Sequence, residues 1–146
     1  MIQRIQSIYL LIAGGIQVLF GLGTYFTFNS KVLTSEGLYN LDGVQIGGNA
    51  KTMALAFLIA GLTFISIVAF KNRKLQMKLA NGAALLGIAE IVFLAKSYMN
   101  LEAIDKADLS IGFVVFLIPV AMILNFLAGK AIKKDDDLVK SVDRIR

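Results

Sequence analysis

The sequence predicts an all-α fold, an antiparallel four-helix transmembrane bundle, on three observations. The chain has 146 residues, of which 57% are hydrophobic and only 17% are charged, whereas a soluble domain is about 25% charged. Four apolar stretches have the roughly 20 residues that a helix needs to cross a bilayer. The basic residues concentrate in alternate connecting segments. Together these features exclude a soluble globular domain, a disordered chain and a fibrous repeat.

The first predicted span covers residues 8–28, and Gln17 is the polar residue nearest its middle. Its apolar run exceeds the roughly 7–15 residues of a signal-peptide core, and no small-x-small cleavage pattern follows, so we expect it to be retained. Residues 29–51 then form a long external loop. Within this loop, Asp42-Gly43 is a favoured pair for a two-residue turn between short apolar segments. A small external β-hairpin and a solvated loop with one turn both fit this pattern.

The other three spans are predicted at residues 52–70, 79–99 and 109–129. The third contains Glu90 near its middle, and the fourth has Pro119 at its centre, where a kink is expected. The short basic segment between spans two and three brings them into antiparallel contact. Residues 1–129 are therefore interpreted as a membrane bundle, and residues 130–146 as an amphipathic cytoplasmic tail.

The distribution of basic residues predicts the orientation. Eleven of the 15 Lys and Arg residues lie in the N-terminal segment, the middle loop and the tail. Basic residues are retained on the cytoplasmic side, so both termini are expected there. The net charge of +5 and the pI of about 9.6 are then a signature of topology, and nucleic-acid binding is not predicted.

Glu90 needs a specific explanation, because an acidic side chain at mid-span costs about 2.5–3.5 kcal/mol on insertion scales. Gln17 lies at a similar depth in the first span, so its amide can donate a hydrogen bond to the Glu90 carboxyl if the two helices touch. One interpretation is a structural link between helices. The other is a proton- or ion-carrying carboxyl, as in coupled transporters. The sequence favours the link, because no second acid or base lies at that depth.

Two further sets of residues are candidates. Asn81 and Asn125 are matched in depth near the cytoplasmic face, and we expect them to bond to each other or to water.

In the tail, Leu138, Val142 and Ile145 fall at i, i+4 and i+7 and form one apolar stripe. Aspartates precede this stripe, and Arg144 and Arg146 close it, which matches the dipole of a helix that starts at the aspartates. A terminal helix that lies on lipid headgroups and a docking helix for a cytoplasmic partner both fit.

The chain lacks the residues that several functional classes require. The chain has no His and no Cys, so Ser-His-Asp and Cys-His catalysts are excluded, and the commonest zinc ligands are missing. No phosphate-binding glycine loop is present. The sequence therefore predicts no enzyme, no cofactor and no metal site. The expected partners are the bilayer and a protein that binds the tail. Small residues on the spans favour close packing, within one chain or between copies.

The two ends of the chain resemble a known family. The segments that carry the resemblance are MIQRIQSIYLL at residues 1–11 and KDDDLVKSVDRIR at residues 134–146. They are similar to domain of unknown function 4293, small four-span inner-membrane proteins of Bacteroidota, although Val142 stands where a small residue such as Ala is expected. The resemblance implies a multi-pass bacterial inner-membrane protein. It implies no activity, substrate or catalytic residue.

The leading hypothesis is a non-enzymatic membrane scaffold or accessory subunit that presents its tail to a partner. The alternative is a small proton- or ion-coupled transporter that works through Glu90. Uniform packing around Glu90 favours the scaffold, whereas a hydrated cavity that reaches it favours transport.

Overall fold

A computed structural model describes residues 2–28, 31–34, 37–40, 45–48, 50–99 and 110–143. Within these residues, four helices are long and apolar enough to cross a membrane, which confirms the predicted four-helix fold class. They are α1 (Ile2–Leu22), α2 (Ala50–Val68), α3 (Arg73–Met99) and α4 (Leu117–Asp143). Large apolar side chains such as Leu19, Leu85 and Ile123 are exposed on their outer faces, as expected of helices that face lipid.

Helix α1 is shifted towards the N-terminus relative to the predicted span. It ends at Leu22, and the Gly23 amide closes the last turn by donating to the Phe20 carbonyl at 3.1 Å. The following TYFTF segment forms strand β1, so the prediction of helix up to residue 28 is wrong. Hydropathy does not separate a helix from a strand here, whereas the β-branched and aromatic residues of this segment favour a strand.

A tight turn joins α2 to α3. Residues Ala69–Lys71 form one turn of 3₁₀-helix, and α3 then begins at Arg73, six residues before the predicted span. The Asn72 side chain caps α3, because its Oδ1 accepts a hydrogen bond from the Leu75 amide at 3.2 Å. Asn is a favoured residue at this position because it satisfies an amide that has no partner in the helix.

Helix α4 differs most from its prediction. A 3₁₀ turn at Phe113–Phe116 precedes it, and Pro119 is its third residue rather than the centre of a span. Proline is tolerated in the first turn, where its missing N–H would be unpaired anyway, so no mid-span kink is needed. At its other end, α4 continues without a break to Asp143. The prediction of a separate tail helix that starts at Asp135–Asp137 is therefore wrong.

The four helices form a closed antiparallel square. Helix α1 packs against α2 and α4, and α3 packs against the same two helices, so α1 and α3 occupy one diagonal while α2 and α4 occupy the other. Glycine permits close approach at these contacts: a Cβ at Gly14 would lie 2.7 Å from the Phe64 ring, and a Cβ at Gly87 would lie 2.5 Å from Met122 Cγ.

One end of the bundle carries a five-stranded antiparallel sheet in the order β4-β3-β2-β1-β5. The strands are β1 (Thr24–Phe28), β2 (Lys31–Thr34), β3 (Gly37–Asn40), β4 (Gln45–Gly48) and β5 (Ser110–Ile111). Strands β3 and β4 pair where the sequence predicts a hairpin, with Leu38 opposite Gly47; its turn, residues 41–44, lies outside the described residues. The sheet is larger than that hairpin, because the end of the first predicted span and the start of the fourth join it.

We call this the sheet end. The opposite end, which comprises the start of α1, the α2–α3 turn and residues 130–143 of α4, is called the basic end. A buried apolar cluster lies near each: Phe20, Tyr25, Ala56, Leu94 and Ile118 towards the sheet end, and Leu10, Ala80, Ala128 and Ile132 towards the basic end. The polar centre of the bundle lies between these clusters.

Candidate functional site

The bundle interior contains several buried polar side chains. Those described as buried are Gln6, Gln17, Thr52, Thr63, Ser66, Gln76, Glu90 and Asn125. They occur on all four helices. Because a polar group in an apolar interior is costly unless it is hydrogen-bonded, the partners of these side chains show what each one does.

Gln17 and Glu90 meet across the α1–α3 diagonal. The Gln17 Nε2 amide donates to Glu90 Oε2 at 3.0 Å, and the two residues are 1% and 0% exposed. This contact confirms the hydrogen bond expected from their matched depths. The approach of Gly14 to Phe64 and of Gly87 to Met122 sets the register of neighbouring helices, which places Ala60 and Ala121, both buried, near the same level. Their small side chains leave room for two long polar side chains to reach each other along the diagonal.

The same pair retains unused hydrogen-bonding capacity. Among the described residues, Glu90 Oε1 and Gln17 Oε1 are buried and have no hydrogen-bond partner. Both are oxygens, so the contact leaves acceptors rather than donors. Within the described part of the chain, no group of three or more His, Cys, Asp or Glu residues could hold a metal ion. The pair thus links two helices, and its two free oxygen atoms could bind a proton or a small cation.

Asn125 lies on the other diagonal. Its Oδ1 accepts a hydrogen bond from Thr63 Oγ1 at 3.4 Å, which joins α4 to α2. The same hydroxyl also lies 2.8 Å from the Ile59 carbonyl oxygen, one turn earlier in α2, and its single proton is shared between these two acceptors. The two diagonals of the square are therefore bridged by separate polar pairs, one between α1 and α3 and one between α2 and α4.

Of the two outcomes expected for Asn81 and Asn125, a bond to each other is not formed, and a bond to water stays a prediction. Asn81 instead lies against Gly129, where its Oδ1 occupies the position that a Cβ at residue 129 would need. Gly129 is one helical turn from Asn125, so the depth comparison misses the true register by four residues. The comparison counts from the cytoplasmic ends of the two predicted spans, and neither is a helix end: α3 begins six residues before residue 79, and α4 continues past residue 129.

Polar contacts also join neighbouring helices at the basic end. Gln6 Nε2 donates to the Ala131 carbonyl at 3.0 Å and joins α1 to α4. Ser66 Oγ donates to the Gln76 carbonyl at 3.0 Å and closes the α2–α3 hairpin. Arg73 Nη1 lies 2.9 Å from Asp135 Oδ2, which joins α3 to α4. Sequence reasoning misses these contacts, since a Gln or Ser near a span end carries no distinctive signal.

The predicted docking tail is the exposed end of α4. Leu138 and Val139 are 48% and 44% exposed, and Lys140 pairs with Asp136 along the same helix. The backbone of Val142 is helical, but its side chain lies outside the described residues, as do Arg144, Ile145 and Arg146 entirely. One face of this segment forms an open groove lined by Lys130, Lys133, Lys134, Asp137, Leu138 and Ser141.

A second open groove lies near the sheet end. It is lined by Ile91, Leu94, Ala95, Tyr98, Ile111 and Val115. Neither groove includes Gln17 or Glu90 in its lining. The central pair is thus packed inside the bundle, and the grooves are features of its outer surface.

Comparison with known protein families shows the family of this chain. The family model for Domain of unknown function (DUF4293) matches residues 2–145, nearly the whole length, so the chain belongs to this family. A comparison with curated proteins finds no match.

Proposed function

We propose that this member of the DUF4293 family is a non-enzymatic scaffold or accessory subunit of a bacterial inner-membrane complex, with its basic end in the cytoplasm. The orientation is supported by the distribution of Lys and Arg, eleven of which fall in segments assigned to that side. The non-enzymatic role is supported by a chain that has no His and no Cys. The residues that carry the proposal lie at the end of α4.

The observation that carries it is the unbroken continuation of α4 past the apolar part of its span. From Lys130 to Asp143 the helix continues for 14 residues, or about 21 Å at 1.5 Å per residue. Its first turns are held to the bundle through Gln6–Ala131 and Arg73–Asp135. The later turns expose Leu138 and Val139. A helix presented on a fixed base loses little conformational entropy on binding, which favours a docking role.

The test is a comparison of protein complexes purified in mild detergent. One sample contains the full chain, one lacks residues 138–146, and one carries Leu138→Ser with Val139→Ser. We expect all three to insert into the membrane, whereas a defined set of partner subunits co-purifies only with the full chain. A synthetic peptide of residues 130–146 should displace those subunits. An unchanged set of partners in both variants would contradict a docking role.

A matched control separates docking from general surface effects. Leu85 is also exposed, but it lies on the membrane-facing side of α3. Leu85→Ser adds a comparable polar group away from the end of α4. The proposal expects this variant to keep the partners that the double variant loses.

A second candidate function is transport of protons or a small cation through Glu90. The observation that favours it is the pair of buried oxygens, Glu90 Oε1 and Gln17 Oε1, which have no partner among the described residues. Glu90→Gln keeps the size and polarity of the side chain but removes its acid. Proton or cation flux into sealed vesicles that is present in the unmodified chain and absent in Glu90→Gln would favour transport. Equal flux in protein-containing and protein-free vesicles would favour the scaffold.

A further inference from the structure

We propose that the face of α4 formed by Lys130, Lys133 and Lys134 binds the phosphate of an anionic phospholipid. These three lysines line the open groove on α4 together with Leu138 and Ser141. The occupant follows from the depth of this face in the membrane, from the aromatic ring below it and from its charge. None of these observations depends on the docking role proposed for Leu138 and Val139.

The depth of the lysines matches the headgroup layer. The apolar part of the fourth span comprises a four-residue 3₁₀ turn and residues 117–129 of α4, which together rise roughly 28 Å. The hydrocarbon core is about 30 Å thick, so it ends close to Lys130. From Lys130 to Lys134 the helix rises about 6 Å, similar to the roughly 5–8 Å that each headgroup layer adds to the core. Leu138 lies about 6 Å further out.

The lipid-facing surface of α4 leads directly to these lysines. Ile123 and Phe126 are exposed on the helix, and Lys130 follows Phe126 by one turn. The Lys130 ammonium lies 4.6 Å from the centroid of the Phe126 ring, a distance at which cation and ring attract each other. An acyl chain that lies along Ile123 and Phe126 would place its phosphate beside Lys130.

The charge of the groove favours an anion. Of the neighbouring carboxylates, Asp135 pairs with Arg73 and Asp136 pairs with Lys140, so both are neutralised by cations outside the groove. Asp137 is the acidic residue among those that line it. Three ammonium groups against one carboxylate leave a net positive site at headgroup depth. Basic residues near a membrane surface attract anionic lipid.

The α2–α3 turn provides a matched control. Lys71, Lys74 and Lys78 are also exposed at the basic end and carry the same number of charges, but they do not line the groove. A site on α4 predicts that the two sets differ. Diffuse attraction between a basic end and a negative membrane predicts that they do not.

The experiment measures lipid binding to the full chain in neutral detergent by native mass spectrometry. The probes are phosphatidylglycerol and phosphatidylcholine with identical acyl chains. We expect tighter binding of phosphatidylglycerol, and at least about a tenfold loss of its affinity in the triple variant K130Q/K133Q/K134Q. The control K71Q/K74Q/K78Q should change affinity by less than about threefold, and K130R/K133R/K134R should retain binding because it keeps the charges.

Three outcomes would overturn the proposal: equal loss in the two Gln triples, equal binding of the two lipids, or unchanged affinity in K130Q/K133Q/K134Q. Competition with inorganic phosphate distinguishes a lipid site from a site for free anions. A lipid site requires that phosphate fails to displace phosphatidylglycerol at equal concentration, and displacement under these conditions would contradict it. Helix content measured by circular dichroism identifies any variant that does not fold, and the Arg triple then provides the test.

Discussion

The interior of the bundle and the basic end of α4 use polar residues in opposite ways. Inside, Gln17 contacts Glu90 and Thr63 contacts Asn125, so polar groups on opposite helices contact one another, although some of their atoms keep no partner among the described residues. On α4 beyond the bundle, Leu138 and Val139 are exposed beside a row of lysines. The interior contacts explain how four apolar helices adopt one arrangement. The exposed face is not needed for that arrangement, which makes it the better candidate for recognition.

The largest expected effect is at the close contact between α3 and α4. Gly129→Leu should destabilise the bundle by about 2–3 kcal/mol, because the new side chain must displace Asn81 from a packed interior. Gly82→Leu is the control, since a Cβ at Gly82 meets nothing within 4 Å. Unfolding followed in detergent micelles measures both. Equal destabilisation would show that Gly129 does not mark a close helix contact.

The next effect comes from the central pair. A double-mutant cycle with Gln17→Leu and Glu90→Leu should give a coupling free energy of about 0.6–2 kcal/mol, the range found for hydrogen bonds between membrane helices. Gln17→Leu alone should destabilise the chain more than the double variant, because it leaves a buried carboxyl without its donor. Additive single effects would rule out a structural link between α1 and α3.

A smaller effect is expected on the second diagonal. Thr63→Val should destabilise the bundle by about 0.5–1 kcal/mol, since the 3.4 Å contact with Asn125 is long and the hydroxyl also has the Ile59 carbonyl as a partner. Thr63→Ser keeps the hydroxyl and serves as the control. If Thr63→Val lowered the stability of the bundle more than Gln17→Leu does, the ranking of the two diagonals by their contribution to stability would be reversed.

The smallest effect is expected at the base of the α4 extension. Asp135→Asn weakens the partly exposed ion pair with Arg73, so the global stability should fall by at most about 1 kcal/mol, and less at high salt. Amide exchange in the last turns of α4 should nevertheless become faster. Asp137→Asn removes the same charge from the groove side of the helix, and faster exchange in that variant to the same degree would contradict a specific role for Asp135.

Some contacts inside the bundle could be predicted from the sequence, and others could not. Four helices follow from span length alone, and the contact between Gln17 and Glu90 follows because a carboxyl at mid-span requires a partner and few polar residues lie at its depth. Thr63 gives no comparable signal, since a threonine can satisfy its hydroxyl within its own helix, as it does with Ile59. The partner of Asn125 could not be predicted for that reason.

Errors in the predicted boundaries have a common cause. Hydropathy indicates which residues are buried away from water, but it gives little information on where a helix begins. The TYFTF segment is apolar enough for a span, yet it forms β1. Asp135–Asp137 resembles a helix start, yet α4 passes through it, and two of the three aspartates pair with Arg73 and Lys140. Those cations lie on another helix or one turn further on.

The most direct test of the difference between interior and exposed end is site-specific crosslinking in intact cells. A photoreactive residue at position 139 samples the exposed end of α4, and one at position 85 samples the outer face of α3. We expect a discrete protein adduct at position 139 that persists in Glu90→Gln and disappears when the chain also carries Leu138→Ser. Adducts of the same size and yield at both positions, or no adduct at position 139, would contradict it.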